Sequence, residues 1–411
     1  MNNVLKPELL CPAGDRERLE AAVQYGADAV YLGGEEFGMR AAPGNFNFEE
    51  LRDAVKYCHE HGVKVHLTAN TLPRNDELSR IPAFFENAAE AGVDAFIIAD
   101  IGVMKAAQKY APGVDIHIST QAGVVNYMTA NALYELGAKR VVLARETSLT
   151  EIKEIRANTP KDLEIECFVH GAMCMSFSGR CLLSNYMTGR DSNRGDCAQP
   201  CRWKYHLVEE KRPGQYFEVD EQENGTYFMN SKDMCLIEHI PELIDAGISS
   251  FKIEGRAKSA FYVAAITNAY RAAIDGFMKA PSMDYKPEPW IVDEVYRISY
   301  RDYCTGFYFG DSTEDANLYY DGIYIRNWDV IANVLDSDGE FVTVTQRNRF
   351  FKGDKLNVLM PGKEPFDITV DEMFNEKGEA IDVAPNPMAV IKIRCSEKMP
   401  AGAILRMERK D

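Results

Sequence analysis

Residues 19–34 read LEAAVQYGADAVYLGG. An amphipathic helical pattern gives way to small residues and a glycine, and a short β-rich apolar run follows. The same unit returns as AFFENAAEAGVDAFIIAD from Ala83, ALYELGAKRVVLARE from Ala132 and LIEHIPELIDAGISSFKIEG from Leu236, with a looser copy, LRDAVKYCHEHGVKVHLTAN, from Leu51. The glycine suits a helix C-terminus, where a left-handed residue is needed. The apolar runs are rich in Val, Ile and Phe, as strands buried on both faces are. Eight such strands are predicted, at residues 8–11, 29–32, 64–68, 95–99, 115–119, 140–144, 163–169 and 249–253. Strands alternating with helices imply βαβ units and a parallel sheet. Eight of them in one domain point to an α/β fold, a (β/α)8 TIM-like barrel. An open doubly wound sheet fits less well, because no Gly-rich phosphate fingerprint follows the first strand. The turn there, Pro12-Ala13-Gly14-Asp15, reads as a turn followed by a helix N-cap.

The barrel is expected to span residues 1–280, with a Cys-rich insertion, residues 171–233, between the seventh and eighth strands. Insertions of this length in compact domains usually carry function. Within it a hairpin is predicted from 205–208 and 226–229. A long helix is expected over 257–279 and a linker over 281–289, inside a linker-and-helix segment, 281–320. From residue 321 to 411 the texture changes to short alternating strands with turn signals, as in GIYIRNWDVIANVL and EFVTVTQRN. This predicts a small all-β barrel. Its net charge is near −3, with no evident basic face.

Composition narrows the classes. The 411 residues are 46% hydrophobic and 27% charged, ordinary for a globular chain. No window approaches ~20 uninterrupted apolar residues, so no membrane span is expected. The opening, MNNVLKPELL, has no basic segment followed by an apolar stretch, so no secretory signal is expected and the location is read as cytoplasmic. There the ten cysteines remain thiols and bind metal or do chemistry. A net charge of −17 argues against general nucleic-acid affinity but allows one local basic surface.

Five cysteines fall in one interval, Cys174, Cys181, Cys197, Cys201 and Cys235, the first just past the seventh strand and so at the barrel mouth. Active sites of such barrels form on that face. Clustered thiolates repel one another unless a cation neutralises them. A 4Fe–4S cluster is the first reading, zinc the alternative, and unmetallated buried thiols the third. One thiol is surplus to a set of four. We take Cys174, Cys181, Cys197 and Cys235, with Cys201 as substitute, because only Ala-Gln-Pro separates it from Cys197. Cys11, Cys58, Cys167, Cys304 and Cys395 read as core fillers.

The stretch 166–184, ECFVHGAMCMSFSGRCLLS, resembles the signature of the collagenase-like peptidases, peptidase family U32, and NYMTGRDSNRGDCAQPCRWKY after it is similar to that family too. The resemblance covers nearly the whole chain. Members whose activity is understood are mostly iron–sulfur enzymes that add a hydroxyl group without molecular oxygen. One branch converts the wobble uridine of tRNA to 5-hydroxyuridine, with prephenate as the implied oxygen source. Another acts on ribosomal RNA, and shorter members act in ubiquinone synthesis. The length and the C-terminal domain look most like the tRNA branch. The resemblance thus implies the tRNA anticodon region as partner, a small dicarboxylate as co-substrate, and a cluster on Cys174, Cys181, Cys197 and Cys235.

The residues agree with such chemistry. Residues 172–204 carry five basic and two acidic side chains. Arg180, Arg190, Arg194, Arg202 and Lys204 could hold phosphates or a dicarboxylate. Phe177, Tyr186 and Trp203 between them could stack on bases, or all could form an ordinary solvated loop. Alternation along the eighth strand puts Lys252, Glu254 and Arg256 on one face, as site residues or as an ion network inside the barrel. We take Glu254, Arg256 and His170 as catalytic candidates. Arg180, Arg194, Arg202, Lys252, Gln121 and Arg145 are the substrate-binding ones. Glu35, Asn70, Asp100 and Glu146 complete a ring of strand-end polar residues, and residues 39–46 form a loop that could cover it. A peptidase is the rival enzyme, with a cysteine nucleophile paired to His170. Cys58-His59-Glu60-His61 lacks metalloprotease spacing. A non-catalytic RNA-binding module with a structural cluster is the third class.

Overall fold

The structure is a computed structural model, and it describes residues 5–38, 44–173, 183–190, 197–200, 203, 207–208, 216–217, 232–310 and 324–409. Strands and helices alternate from the start: β1 (Glu8–Pro12), α1 (Arg16–Gln24), β2 (Ala29–Gly33), α2 (Phe48–Glu60), β3 (Lys64–Ala69), α3 (Ile81–Ala91), β4 (Ala95–Ile98), α4 (Ile101–Tyr110), β5 (Asp115–Ile118), α5 (Tyr127–Glu135), β6 (Arg140–Val142), α6 (Leu149–Ala157) and β7 (Glu164–Ala172). The Cys-rich segment holds α7 (Leu183–Thr188), β8 (Leu207–Val208), β9 (Tyr216–Phe217) and β10 (Asp233–Cys235). Then come α8 (Ile240–Asp245), β11 (Ser250–Ile253), α9 (Ala260–Lys279), α10 (Pro289–Glu294) and β12 (Tyr303–Cys304).

β1 to β7 pair in sequence, all parallel, and β11 closes the ring between β7 and β1 through Glu166↔Ser250 and Glu8↔Ser250. The eight predicted strands are therefore the eight staves of a (β/α)8 barrel. Outward faces of the staves and inward faces of the helices form one large apolar shell. Inside, Leu10, Ala29, Tyr31 and Ile97 make a small separate cluster. The expected Pro-Ala-Gly-Asp turn is present. Asp15 caps α1 by accepting from the Arg18 backbone N–H at 3.0 Å, and a side chain at Gly14 would run into the Arg256 carbonyl.

Two features go beyond the simple barrel. β7 overruns the ring, and His170–Ala172 pair antiparallel with β10, which in turn pairs with β12. The predicted hairpin also differs. Leu207–Val208 pair with Tyr216–Phe217, and residues 226–229 lie outside the described residues. Among the described residues no helix is long and apolar enough to cross a membrane.

The C-terminal domain is all-β, as expected. Its strands are β13 (Trp328–Ser337), β14 (Phe341–Gln346), β15 (Phe350–Phe351), β16 (Lys355–Leu359), β17 (Phe366–Thr369), β18 (Met373–Phe374), β19 (Ala380–Ile381), β20 (Val383–Ala384), β21 (Val390–Arg394) and β22 (Ile404–Glu408). Eight of them form one antiparallel half-barrel in the order β17-β16-β22-β13-β14-β21-β18-β19, around a core of its own. It docks on the barrel through buried polar contacts. The Tyr25 hydroxyl lies 3.1 Å from the carbonyl oxygens of both Leu359 and Gly402. Gly362 N–H donates to Asn268 at 2.8 Å. Fully buried Arg406 forks onto Glu294 of α10, with one arm at 2.9 Å.

Candidate active site

Alternation along the staves sends every second side chain into the barrel. At its lower end these are ionic. Arg140 on β6 reaches Glu8 at 2.5 Å, Glu164 at 2.6 Å and Glu166 at 2.9 Å, and Lys252 on β11 donates to Glu166 at 2.7 Å. Burial alone would raise the Glu8 carboxyl, but the charge and hydrogen bond of Arg140 outweigh it and hold it at about 2. Glu166 is lowered in the same way against its burial, by Lys252 and then Arg140. His66 and His117 pack edge to face beside this network, ring centres 4.7 Å apart. Burial lowers both, His66 to about 4, so both remain neutral. Lys252 thus lies within an ion network in the barrel.

One layer higher the strand ends diverge. The Arg145 guanidinium lies 3.9 Å from the centre of the Phe168 ring and donates to Glu254 at 2.9 Å. Arg256 turns inward and is buried. It donates to Asn45 at 2.7 Å and to Thr68 at 3.3 Å. Its guanidinium passes so close over Gly33 that any side chain there would meet it. Gln121 is buried with Ser119, whose hydroxyl donates to it at 3.3 Å. Asn70 reaches the same hydroxyl at 3.4 Å. Asp100 caps α4 through the Val103 N–H at 3.0 Å, Glu35 is exposed, and burial raises the Glu146 carboxyl. His170 faces away from this layer, among Tyr262, Tyr270 and Tyr303 with ring centres 5.3–6.0 Å away. Burial lowers it to about 3, so it is a neutral ring.

A cavity of about 800 Å³ opens above the Arg145–Glu254 pair. Ala172 and Met173 at the end of β7, Cys197 and Gln199 line it on one side; the start of α9 and Trp328 of the C-terminal domain line it on the other. The volume is in the range of small-molecule sites, ~300–1,000 Å³. The structure therefore brings Arg145, Glu254 and Cys197 to one space, while Arg256, Lys252, Gln121 and His170 lie beneath or behind it. The candidates Cys174, Cys181, Cys201, Arg180, Arg194, Arg202, Lys204 and Phe177, and residues 39–43 of the loop, lie outside the described residues. Arg190, Tyr186 and Trp203 are exposed. Among the described residues no group of three His, Cys, Asp or Glu is arranged to hold a metal.

Two of the candidate ligand thiols, Cys197 and Cys235, are among the described residues, and Cys197 alone of the two lines the cavity. Cys197 sulfur accepts from the Gln199 backbone N–H at 3.3 Å. Burial pushes the Cys235 thiol up to about 12, opposed by a hydrogen bond from the Ile237 backbone N–H. N–H donors aimed at sulfur are a feature of iron–sulfur ligand environments. Cys197 and Cys235 each have such a donor; Cys235 also packs against the apolar shell in which Cys11, Cys58 and Cys167 are buried. Cys304 and Cys395 are half-buried.

Sequence reading missed the wall supplied by the other domain. Arg326, Trp328 and Arg347 of the C-terminal domain line the cavity with Lys258 of the barrel, yet in sequence they are scattered singly and form no basic run. The Gly-Arg-Ala-Lys run after Glu254 was the one available signal.

Known proteins share this sequence along most of its length. The chain is 38% identical over 403 residues to tRNA hydroxylation protein P1 of Bacillus subtilis, covering 98% of this chain and 94% of that one. It is 35% identical to tRNA hydroxylation protein P of Escherichia coli, covering 93% and 92%. It is 37% identical to a 23S rRNA 5-hydroxycytidine synthase of Escherichia coli, covering 86% of this chain and 52% of that one. The model of peptidase family U32 matches residues 14–318, and that of the family's C-terminal domain matches residues 326–406. With both domains matched in order along one chain, the protein belongs to peptidase family U32.

Proposed function

We propose that this chain is a tRNA hydroxylase that forms 5-hydroxyuridine at the wobble position by an iron-dependent, oxygen-independent route, with prephenate as hydroxyl source. Relatives named for tRNA hydroxylation match it almost end to end, and another modifies an RNA pyrimidine. The observation that carries the reading is the placement of Cys197 and the Arg145–Glu254 pair around one open cavity at the barrel mouth. Modifying a base requires it to leave its stack and enter a pocket, and this one has the room. A 4Fe–4S cluster held by Cys174, Cys181, Cys197 and Cys235, with Cys201 as substitute, would supply one-electron chemistry there; zinc has no redox chemistry to offer.

The chain's own residues supply the rest. Glu254 lines the cavity and is the group we place at the C5 proton. Arg145 orients that carboxylate while stacked on Phe168. Arg256, through Asn45 and Thr68, keeps the rim of the mouth in shape. Arg180, Arg194 and Arg202 are assigned to the anionic groups of RNA or dicarboxylate.

Two measurements test this. Mass spectrometry of tRNA from a deletion strain is expected to show loss of 5-hydroxyuridine, restored by the gene in trans; unchanged modification overturns the reading. Anaerobically purified protein is expected to be coloured and to contain iron. A colourless, iron-free protein that cleaves peptides would establish the peptidase instead.

A further inference from the structure

The cavity extends beyond the Arg145–Glu254 pair into the seam between the barrel and the C-terminal domain, where the proposed chemistry makes no use of it. Among the described residues five cations line it, Arg18, Arg145, Lys258, Arg326 and Arg347, against two carboxylates, Glu17 and Glu254. With Asp15 and Asp329, which pair with Arg18 and Arg326 from just outside the lining, the cluster still carries one net positive charge on a chain of −17.

The cations outside the barrel mouth come from four separate places. Arg18 is on α1, Lys258 precedes α9, Arg326 precedes β13 and Arg347 follows β14. Their neighbours hold them in position. The Lys258 ammonium lies 3.8 Å from the centre of the Tyr324 ring and donates to the Ser299 carbonyl at 3.3 Å. Arg18 bonds to Asp15 and to the Lys258 carbonyl. Arg347 pairs with Glu17 at 2.7 Å and Arg326 with Asp329 at 2.7 Å. These last two pairs involve partly exposed side chains, and such pairs are weak, so an incoming anion can displace them. The twenty-residue helix α9 starts on the same wall and turns its positive end toward the cavity. Both walls are held in one relative position by the Tyr25, Asn268 and Arg406 contacts across the domain interface. The seam is therefore preformed, which lowers the cost of binding. A small dicarboxylate needs one or two of these cations. Several cations drawn from two domains and lining one cavity at the barrel mouth suit a polyanion better than a single small one.

We propose that the seam holds the phosphate backbone of the RNA strand whose base enters the barrel mouth, so that the C-terminal domain forms half of the RNA site. The proposal rests on the RNA reading above. The test uses the full chain carrying Arg326→Glu and Arg347→Glu together. Lys392→Glu with Arg394→Glu, exposed on β21 and outside the cavity, is the control of equal charge change. Circular dichroism and melting temperature check that each protein is folded. Binding of a fluorescein-labelled anticodon stem-loop RNA is followed by anisotropy over a range of salt concentrations. The seam variant is expected to lose at least ~10-fold in affinity. The slope of log K against log salt should shrink by about 1.4, at ~0.7 for each phosphate of a single strand that is no longer neutralised. The control should bind like the wild type.

Wild-type affinity and slope in the seam variant overturn the proposal, as does an equal loss in the control. Retained RNA affinity with weakened saturation by prephenate would give the seam to the small anion, and overturns it too. A wild-type chain that binds the stem-loop and restores 5-hydroxyuridine, beside an unaffected seam variant, sinks the seam alone. A wild type that does neither sinks the RNA reading and the seam with it.

Discussion

Glu254 and Arg145 meet at 2.9 Å from positions 109 residues apart in sequence. Replacing Glu254 by Gln keeps the shape and one hydrogen-bond acceptor but removes the charge. If this carboxylate handles the C5 proton, Glu254→Gln lowers hydroxylation by at least ~10²-fold, the lower range for a positioned acid or base, in a protein that still folds but melts lower because buried Arg145 loses its counter-charge. Hydroxylation at the wild-type rate, measured by mass spectrometry of tRNA, would remove Glu254 from the reaction. Cys181→Ala carries a separate expectation, loss of iron and activity together; wild-type iron content in that variant disproves the ligand assignment. Residue types at the mouth were legible in the sequence, but their partners were not. Lys252, Glu254 and Arg256 were read as one face. In the fold they bond to Glu166, Arg145 and Asn45, which lie 86, 109 and 211 residues away. Alternation says which side of a strand a residue takes, and tertiary closure alone decides what it meets there.

At the scale of elements the staves were legible because each is a short run buried on both faces. The observed ends, such as Ala95–Ile98 and Asp115–Ile118, depart from the predicted ones by at most about three residues. β10 and β12 were not, since strands of two or three residues are too short to show a period and exist only by pairing with the overrun of β7. That overrun depends on Gly171. Its φ is +111°, and an added Cβ would lie 2.7 Å from the Glu254 carbonyl oxygen. Gly171→Ala must therefore strain the backbone and push β7 away from the end of β11, where Glu254 is anchored by its N–H to the His170 carbonyl at 2.9 Å. A sparsely populated backbone conformation costs roughly 1–3 kcal/mol, and the close contact adds to it. Urea unfolding should show a loss of at least that size, together with reduced hydroxylation. An unshifted midpoint would mean that β7 and β11 adjust without cost.

Across the whole molecule, three histidines among the described residues are buried: His66 and His117 inside the barrel, His170 between β7 and α9. Burial lowers each below the ordinary 6.5, His66 to about 4, His170 to about 3, and His117 well down. In the unfolded chain the same side chains take up protons near 6.5. As pH falls through that value, the unfolded state binds up to three more protons than the folded one, so stability drops as acidity rises. Each histidine contributes up to about 1.4 kcal/mol per pH unit, and the slope eases near pH 4, where His66 begins to charge in the folded state. The carboxyls lowered by Arg140 and Lys252 act in a different window. The contributions of Glu8 and Glu166 are full above about 4.5, the ordinary value, and for Glu8 lost toward 2. Among these groups the interval from about pH 6.5 to 4.5 therefore reports the histidines alone. Urea midpoints at about pH 7, 6 and 5 should fall steadily. His170→Phe, which leaves an apolar ring among Tyr262, Tyr270 and Tyr303, should make the decline shallower by one proton. A stability that stays level from about pH 6.5 to 5 would show that the buried rings accept protons in the folded chain, and that the barrel interior is open to water.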